Sequence, residues 1–165
     1  MTVVVVMGVS GSGKTTVGTA LAEALGVAYA EADSFHPEAN IEKMTAGTPL
    51  TDEDRWPWLE AIAGWIREHG ETGGVVTSSA LKRRYRDVLR GGGDVWFVHL
   101  NGPREVIAQR LAGRSGHFMP PSLLDSQFAD LEPLDADERG QVLDITEPPA
   151  ALVRKALDEL AGERR

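Results

Sequence analysis

The 165-residue chain contains no cysteine, which excludes disulfides, thiolate metal sites and a cysteine nucleophile. It also lacks a long apolar run: Met1 to Met7 is apolar but far too short to span a bilayer, with neither the basic flank nor the cleavage site of an export signal. A cytoplasmic protein without a membrane partner is therefore expected. Basic residues are in deficit, 17 against 25 acidic, for a net charge of −8. That balance argues against nucleic acid as a partner, because tracking polyphosphate takes many Lys and Arg. Any anion must be held locally. His69 and His99 have no companions at metal-ligand spacing and read as structural. What is present, 42% hydrophobic and 25% charged residues, suits a packed single domain over residues 1–165.

Short apolar runs alternate with longer helical periods, the pattern of a parallel sheet covered by helices on both faces. Five strands are expected: Val3 to Met7, Ala28 to Ala30, Val75 to Ser78, Val95 to Leu100 and Val142 to Ile145. Between them lie helices from about Lys14 to Leu25, with Gly26 as stop, and from Pro37 to Ala46. Thr51 and Asp54 form a capping box for a third, in which Trp58, Leu59, Ile62, Trp65 and Ile66 point to the core and Pro57 bends or delays the first turn. A basic helix spans about Leu81 to Leu89, and Pro103 opens another carrying Val106, Ile107 and Leu111 inward. Residues 113 to 121, rich in glycine, arginine and proline, read as a lid between helices. Ser122 and Asp125 cap a helix to about Leu131, the acidic loop Asp135 to Glu138 is expected to be solvated, and a last helix runs from Pro149 to Leu160.

Gly8-Val9-Ser10-Gly11-Ser12-Gly13-Lys14-Thr15 fills every fixed position of the P-loop pattern between a buried strand and a helix. The glycines let backbone N–H groups converge on phosphate oxygens, and the helix adds the positive end of its dipole. Lys14 is expected at the β- and γ-phosphates of ATP, Thr15 on Mg²⁺ and Thr16 near the α-phosphate. No N-K-x-D string marks guanine. The third and fourth strands end in Ser78 and Leu100 rather than the acidic residue of a motor-type ATPase, which leaves a small-molecule kinase.

A kinase needs a group to orient the attacking hydroxyl and cations to neutralise charge. Asp33 closely follows the second strand, at the carboxyl edge where open α/β sheets bind ligands, and is the candidate base; a helix-capping role is the other reading. His36, Lys43, Arg55 and Lys82 form a scattered basic set able to bind a carboxylate. Arg110 and Arg114 flank the lid, where closure would bring a guanidinium to the transferring phosphoryl. A shikimate-type or nucleotide kinase, and a non-catalytic ATP-binding regulatory protein, stay open as alternatives.

The strings MGVSGSGKTT, DSFHPEANIEKMTAGTPLTDEDRWPWL, SSALKRRYRDVLR and GHFMPPSLLDSQFADLE, in that order and over nearly the whole chain, resemble the gluconokinase family. The resemblance implies a three-layer α/β/α P-loop kinase fold with a five-stranded parallel sheet and a lid, similar to shikimate and nucleoside-monophosphate kinases. It implies ATP and Mg²⁺ as cofactors, a homodimer, and phosphorylation of the terminal hydroxyl of D-gluconate to 6-phosphogluconate. By position, Asp33 would orient the hydroxyl; His36, Lys43, Arg55 and Lys82 would face the sugar acid. Arg110, Arg114 and His117 would belong to the lid, with Gln127 on the lid or substrate side. Two departures stand out: Ala32 where glycine is common, and Ser78 where cysteine is. Neither removes a charged group.

Overall fold

The computed structural model describes residues 2–48, 50–112 and 121–163. Its elements run β1 (Val3–Met7), α1 (Lys14–Leu25), β2 (Ala28–Glu31), a 3-10 turn (Ala32–Phe35), α2 (Glu38–Thr45), α3 (Asp52–Glu68), β3 (Gly74–Thr77), α4 (Arg83–Arg90), β4 (Val95–Asn101), α5 (Arg104–Ala112), α6 (Pro121–Asp130), β5 (Gly140–Asp144) and α7 (Pro149–Glu163). Five strands form one parallel sheet in the order β2-β3-β1-β4-β5. Because every strand points the same way, all the loops that leave their carboxyl ends gather along one edge.

Strand β1 lies in the middle, and none of its side chains is more than 1% exposed. Burying each of these stabilises the fold by roughly 1.5–3 kcal/mol, which explains why the opening run has no polar alternation. Successive side chains serve opposite faces. Val4 and Val6 pack with residues of α1, α5, α6 and α7, whereas Val3, Val5 and Met7 pack with those of α3 and α4. Chain order reverses beside β1, toward β3 on one side and β4 on the other, and the crevice at such a switch point is the usual ligand site of an open α/β sheet.

Several boundaries differ from the sequence expectation for local reasons. Lys82 is extended (φ −110°, ψ 144°), so α4 begins at Arg83 rather than Leu81. Strand β3 closes at Thr77, although the Ser78 amide still donates to Val6 O, and β5 starts two residues earlier than Val142. Pro57 does not delay α3, which starts at Asp52 behind a complete capping box: Thr51 Oγ1 accepts from the Asp54 amide (3.2 Å) and Asp54 accepts from the Thr51 amide (2.9 Å). The acidic loop is corrected at one position. Glu138 is buried, with its carboxylate on Arg86 Nε (2.7 Å) and Nη2 (2.9 Å) and on Arg90 Nη1 (2.7 Å). Burial alone would push that carboxyl up, but the two guanidinium partners bring it down to about 2. The expected lid, 113 to 121, lies outside the described residues except for Pro121, where α6 begins.

Candidate active site

Beyond Met7 the backbone turns through two glycines that no other residue fits. Gly8 has φ +151°, and a Cβ there would stand 2.7 Å from both Leu100 O and Ser12 Oγ. Gly11 has φ +83°, and its Cβ would meet Leu111 Cγ at 2.7 Å. Gly13, the N-cap of α1, offers no side chain to the helix's first amides, and the first turn carries no acidic residue. Those amides and the positive dipole end therefore remain available to an anion.

Lys14 Nζ donates to Gly8 O (2.8 Å) and Val9 O (3.3 Å), folding the ammonium back over the cradle. Burial lowers its pKa to about 8, against the opposing pull of the Asp33 charge. Thr15 Oγ1 donates to Glu31 Oε1 (2.9 Å), and the Tyr29 hydroxyl donates to the same oxygen (3.0 Å). Burial, followed by that bond, raises Tyr29 to about 12. Glu31 was absent from the sequence-based candidates. Its signal was available, since it closes β2 at the carboxyl edge, two residues before Asp33.

Asp33 sits exposed in the 3-10 turn, and this turn is pinned from beneath: Trp58 Nε1 on α3 donates to Ala32 O at 2.7 Å. His36 stacks on the same Trp58 ring, with centroids 4.1 Å apart. Its pKa is lowered, first by burial and also by Arg55, while the Asp33 charge pulls the other way, as it does at Lys14. Arg55 donates to the Tyr85 hydroxyl (3.2 Å), which in turn donates to Asp52 (2.7 Å). Lys82 lies 3.8 Å from Asp130 and within electrostatic reach of Asp52.

Other candidates are placed differently. Lys43 is held by both Asp54 oxygens at 2.8 Å and ties α2 to α3. Gln127 is at the phosphate cradle rather than in the acceptor crevice: its Oε1 accepts from the Ser10 amide (2.7 Å) and its Nε2 donates to Ser10 Oγ (3.0 Å). Arg110 Nη2 donates to Ile145 O (2.6 Å), and its other terminal nitrogen comes within 4.0 Å of where a Gly13 Cβ would stand. Val9 is buried and Thr16 exposed. Arg114 and His117 lie outside the described residues. His69 stacks on Trp65, and His99 is buried, its pKa lowered to about 4 by burial and then by Arg86.

The acceptor-side loop after β3 has its own scaffold. Ala80 adopts φ +44°, a conformation uncommon for a residue with a side chain, and Arg86 holds this bend by donating from Nη1 to Ala80 O (3.0 Å) and Leu81 O (3.3 Å). The Gly8 amide donates to Ser79 O (3.3 Å), so the loop that carries Lys82 touches the opening of the phosphate cradle.

A family model described as an AAA domain matches residues 4–119, the part that carries the P-loop. The gluconokinase of Gluconobacter oxydans (strain 621H) is 54% identical over 137 residues, covering 81% of this chain and 77% of that protein. The crystal structure of a gluconokinase from Sinorhizobium meliloti 1021 superposes with a TM-score of 0.89 at 49% identity, over 97% of this chain and 91% of the other. Shikimate kinase from Aquifex aeolicus, at 16% identity with a TM-score of 0.61 over 98% and 97% of the two chains, shares the fold. Likeness at this identity and coverage, on top of an intact P-loop cradle, shows that the chain belongs to the gluconokinase family.

Proposed function

We propose that this kinase transfers the γ-phosphoryl group of ATP to the terminal hydroxyl of D-gluconate, giving 6-phospho-D-gluconate and ADP. The observation that supports the reading is the exposed Asp33 turn at the end of β2, on the same carboxyl edge of the sheet as the P-loop cradle after β1, in a chain whose relatives are gluconokinases.

The P-loop amides and the start of α1 hold the phosphates, and ATP oxygens replace Gly8 O and Val9 O as the partners of Lys14. Asp33 accepts the hydroxyl proton as that oxygen bonds to the γ-phosphorus and the bond to the ADP oxygen breaks. His36, Arg55 and Lys82 receive the sugar acid's carboxylate and hydroxyls. Arg110 belongs to the nucleotide side, and Arg114 to the phosphoryl group in flight. Magnesium fits this donor set, because Thr15 Oγ1 and the Glu31 carboxylate present hard oxygens side by side at the cradle. Bound there with the nucleotide, it would neutralise phosphate charge.

A cytoplasmic homodimer acting on small molecules, without nucleic acid or membrane, completes the reading. The net charge of −8 supports the part of it that excludes nucleic acid, which takes many Lys and Arg to hold. The test is ADP release with gluconate, shikimate, other sugar acids and nucleoside monophosphates offered in parallel. Gluconate is expected to stimulate release above all the others, with 6-phosphogluconate as product; no stimulation by gluconate overturns the assignment.

A further inference from the structure

Gln127 contributes a side chain to the phosphate cradle from 117 residues away. Both ends of its amide are engaged on one residue, Ser10, the third of the P-loop: the carbonyl takes the backbone N–H at 2.7 Å and the NH₂ donates to the hydroxyl at 3.0 Å. The contact is built into the fold. Leu124 is buried in the core and Phe128 packs against it, so α6 presents Gln127 from a fixed position. On the next P-loop residue the side chain of Leu111, from α5, fills the space a Gly11 Cβ would need. The helices on either side of residues 113–120 are thus keyed to adjacent positions of the cradle.

Ser10 stands in the first half of the loop, two residues after Gly8. The Gly8 amide is bonded to Ser79 O in the loop that leads to Lys82, whereas Thr15 and Thr16 stand at the opposite end, at the start of α1. A group that fixes Ser10 therefore sets the half of the cradle that adjoins the loop leading to Lys82. We propose that Gln127 is a positioning residue for phosphoryl transfer: by clamping the Ser10 amide and hydroxyl it shapes the γ-phosphate end of the P-loop and makes α6 responsive to a nucleotide triphosphate. The inference rests on the kinase reading above, and it replaces a direct contact of Gln127 with the sugar acid.

The chemistry separates this role from simple structural support. In Gln127→Glu, one carboxylate oxygen accepts from the Ser10 amide and the other from the Ser10 hydroxyl, whose hydrogen is free to rotate, so the clamp survives. What changes is the charge beside the triphosphate. Gln127→Leu loses the clamp and adds none.

The experiment measures ATP and ADP binding by calorimetry, without acceptor, together with thermal stability and steady-state kinetics for the wild-type protein, Gln127→Glu, Gln127→Leu and Ser10→Ala. For Gln127→Glu the expected result is near wild-type stability with ATP affinity reduced about tenfold or more and ADP affinity reduced far less. For Gln127→Leu, kcat is expected to fall by about tenfold or more while the gluconate KM stays within about twofold, and its effect is non-additive with Ser10→Ala. Unchanged ATP affinity and turnover in Gln127→Glu would overturn the proposal, as would a loss confined to the gluconate KM. Because nucleotide binding needs no acceptor, a wrong substrate assignment appears in the wild-type protein alone and leaves this test intact.

Discussion

Replacing Glu138 by Gln isolates a charge that the sequence disguises as part of a solvated acidic loop. In the folded protein the Glu138 carboxylate balances Arg86, whose side chain is 0% exposed, and it takes a further bond from Arg90. Glutamine keeps the shape and one acceptor, but it turns an NH₂ group toward two guanidinium donors and leaves Arg86 buried without a counter-charge. Removing one partner of such a pair costs about 3–5 kcal/mol, against a total stability of about 5–15 kcal/mol for an ordinary domain. At roughly 2–4 °C per kcal/mol for a domain of this size, the melting temperature should drop by roughly 6–20 °C.

Urea unfolding gives the free energy directly. Its pH dependence supplies a second reading with a defined sign. The folded carboxyl is held at about 2, below its ordinary value of 4.5, so the stabilisation is complete above that value and is lost as pH falls from 4.5 toward 2. That acid-limb slope should flatten in Glu138→Gln. Function should follow, since Arg86 also supports the Ala80 and Leu81 carbonyls ahead of Lys82, and the gluconate KM should rise more than the ATP KM. A loss below about 1 kcal/mol would refute the reasoning, because it lies in the range of an exposed ion pair.

Lys14, lowered to about 8 in the free protein, should regain its proton when triphosphate binds; calorimetry in buffers of different ionisation enthalpy should show clearly more proton uptake at pH 9 than at pH 7, and Lys14→Ala should abolish the difference. Glu31→Gln leaves the Thr15 and Tyr29 hydroxyls an acceptor but removes the charge, so the magnesium concentration for half-maximal activity should rise by about tenfold or more; an unchanged requirement would exclude Glu31 from the ion's surroundings.

The parts that follow from local pattern were legible in the sequence. A β-branched run with no polar alternation gave the central strand, the fixed P-loop positions gave the cradle, and Thr51 with Asp54 gave a capping box whose two bonds are both formed. What escaped depends on residues far apart in the chain. Glu138 looked like one more exposed acid because Arg86, 52 residues earlier, is what makes its burial possible. Lys43 looked like a free cation, yet Asp54 occupies its ammonium, and Gln127 stood near the right motif without any indication that its partner was Ser10. Glu31 was passed over because the expected strand stopped at Ala30, whereas β2 runs on to Glu31 and its carboxylate meets the Thr15 hydroxyl across the chain.

The proposed transfer depends most on a carboxylate at position 33 that aims an alcohol at a phosphoryl group gripped by backbone amides. Product formation from gluconate by Asp33→Asn, measured beside its ATP affinity, tests this directly. Turnover should fall by about 10²–10⁴-fold with ATP binding nearly unchanged. A variant that makes 6-phosphogluconate at close to the wild-type rate would contradict it.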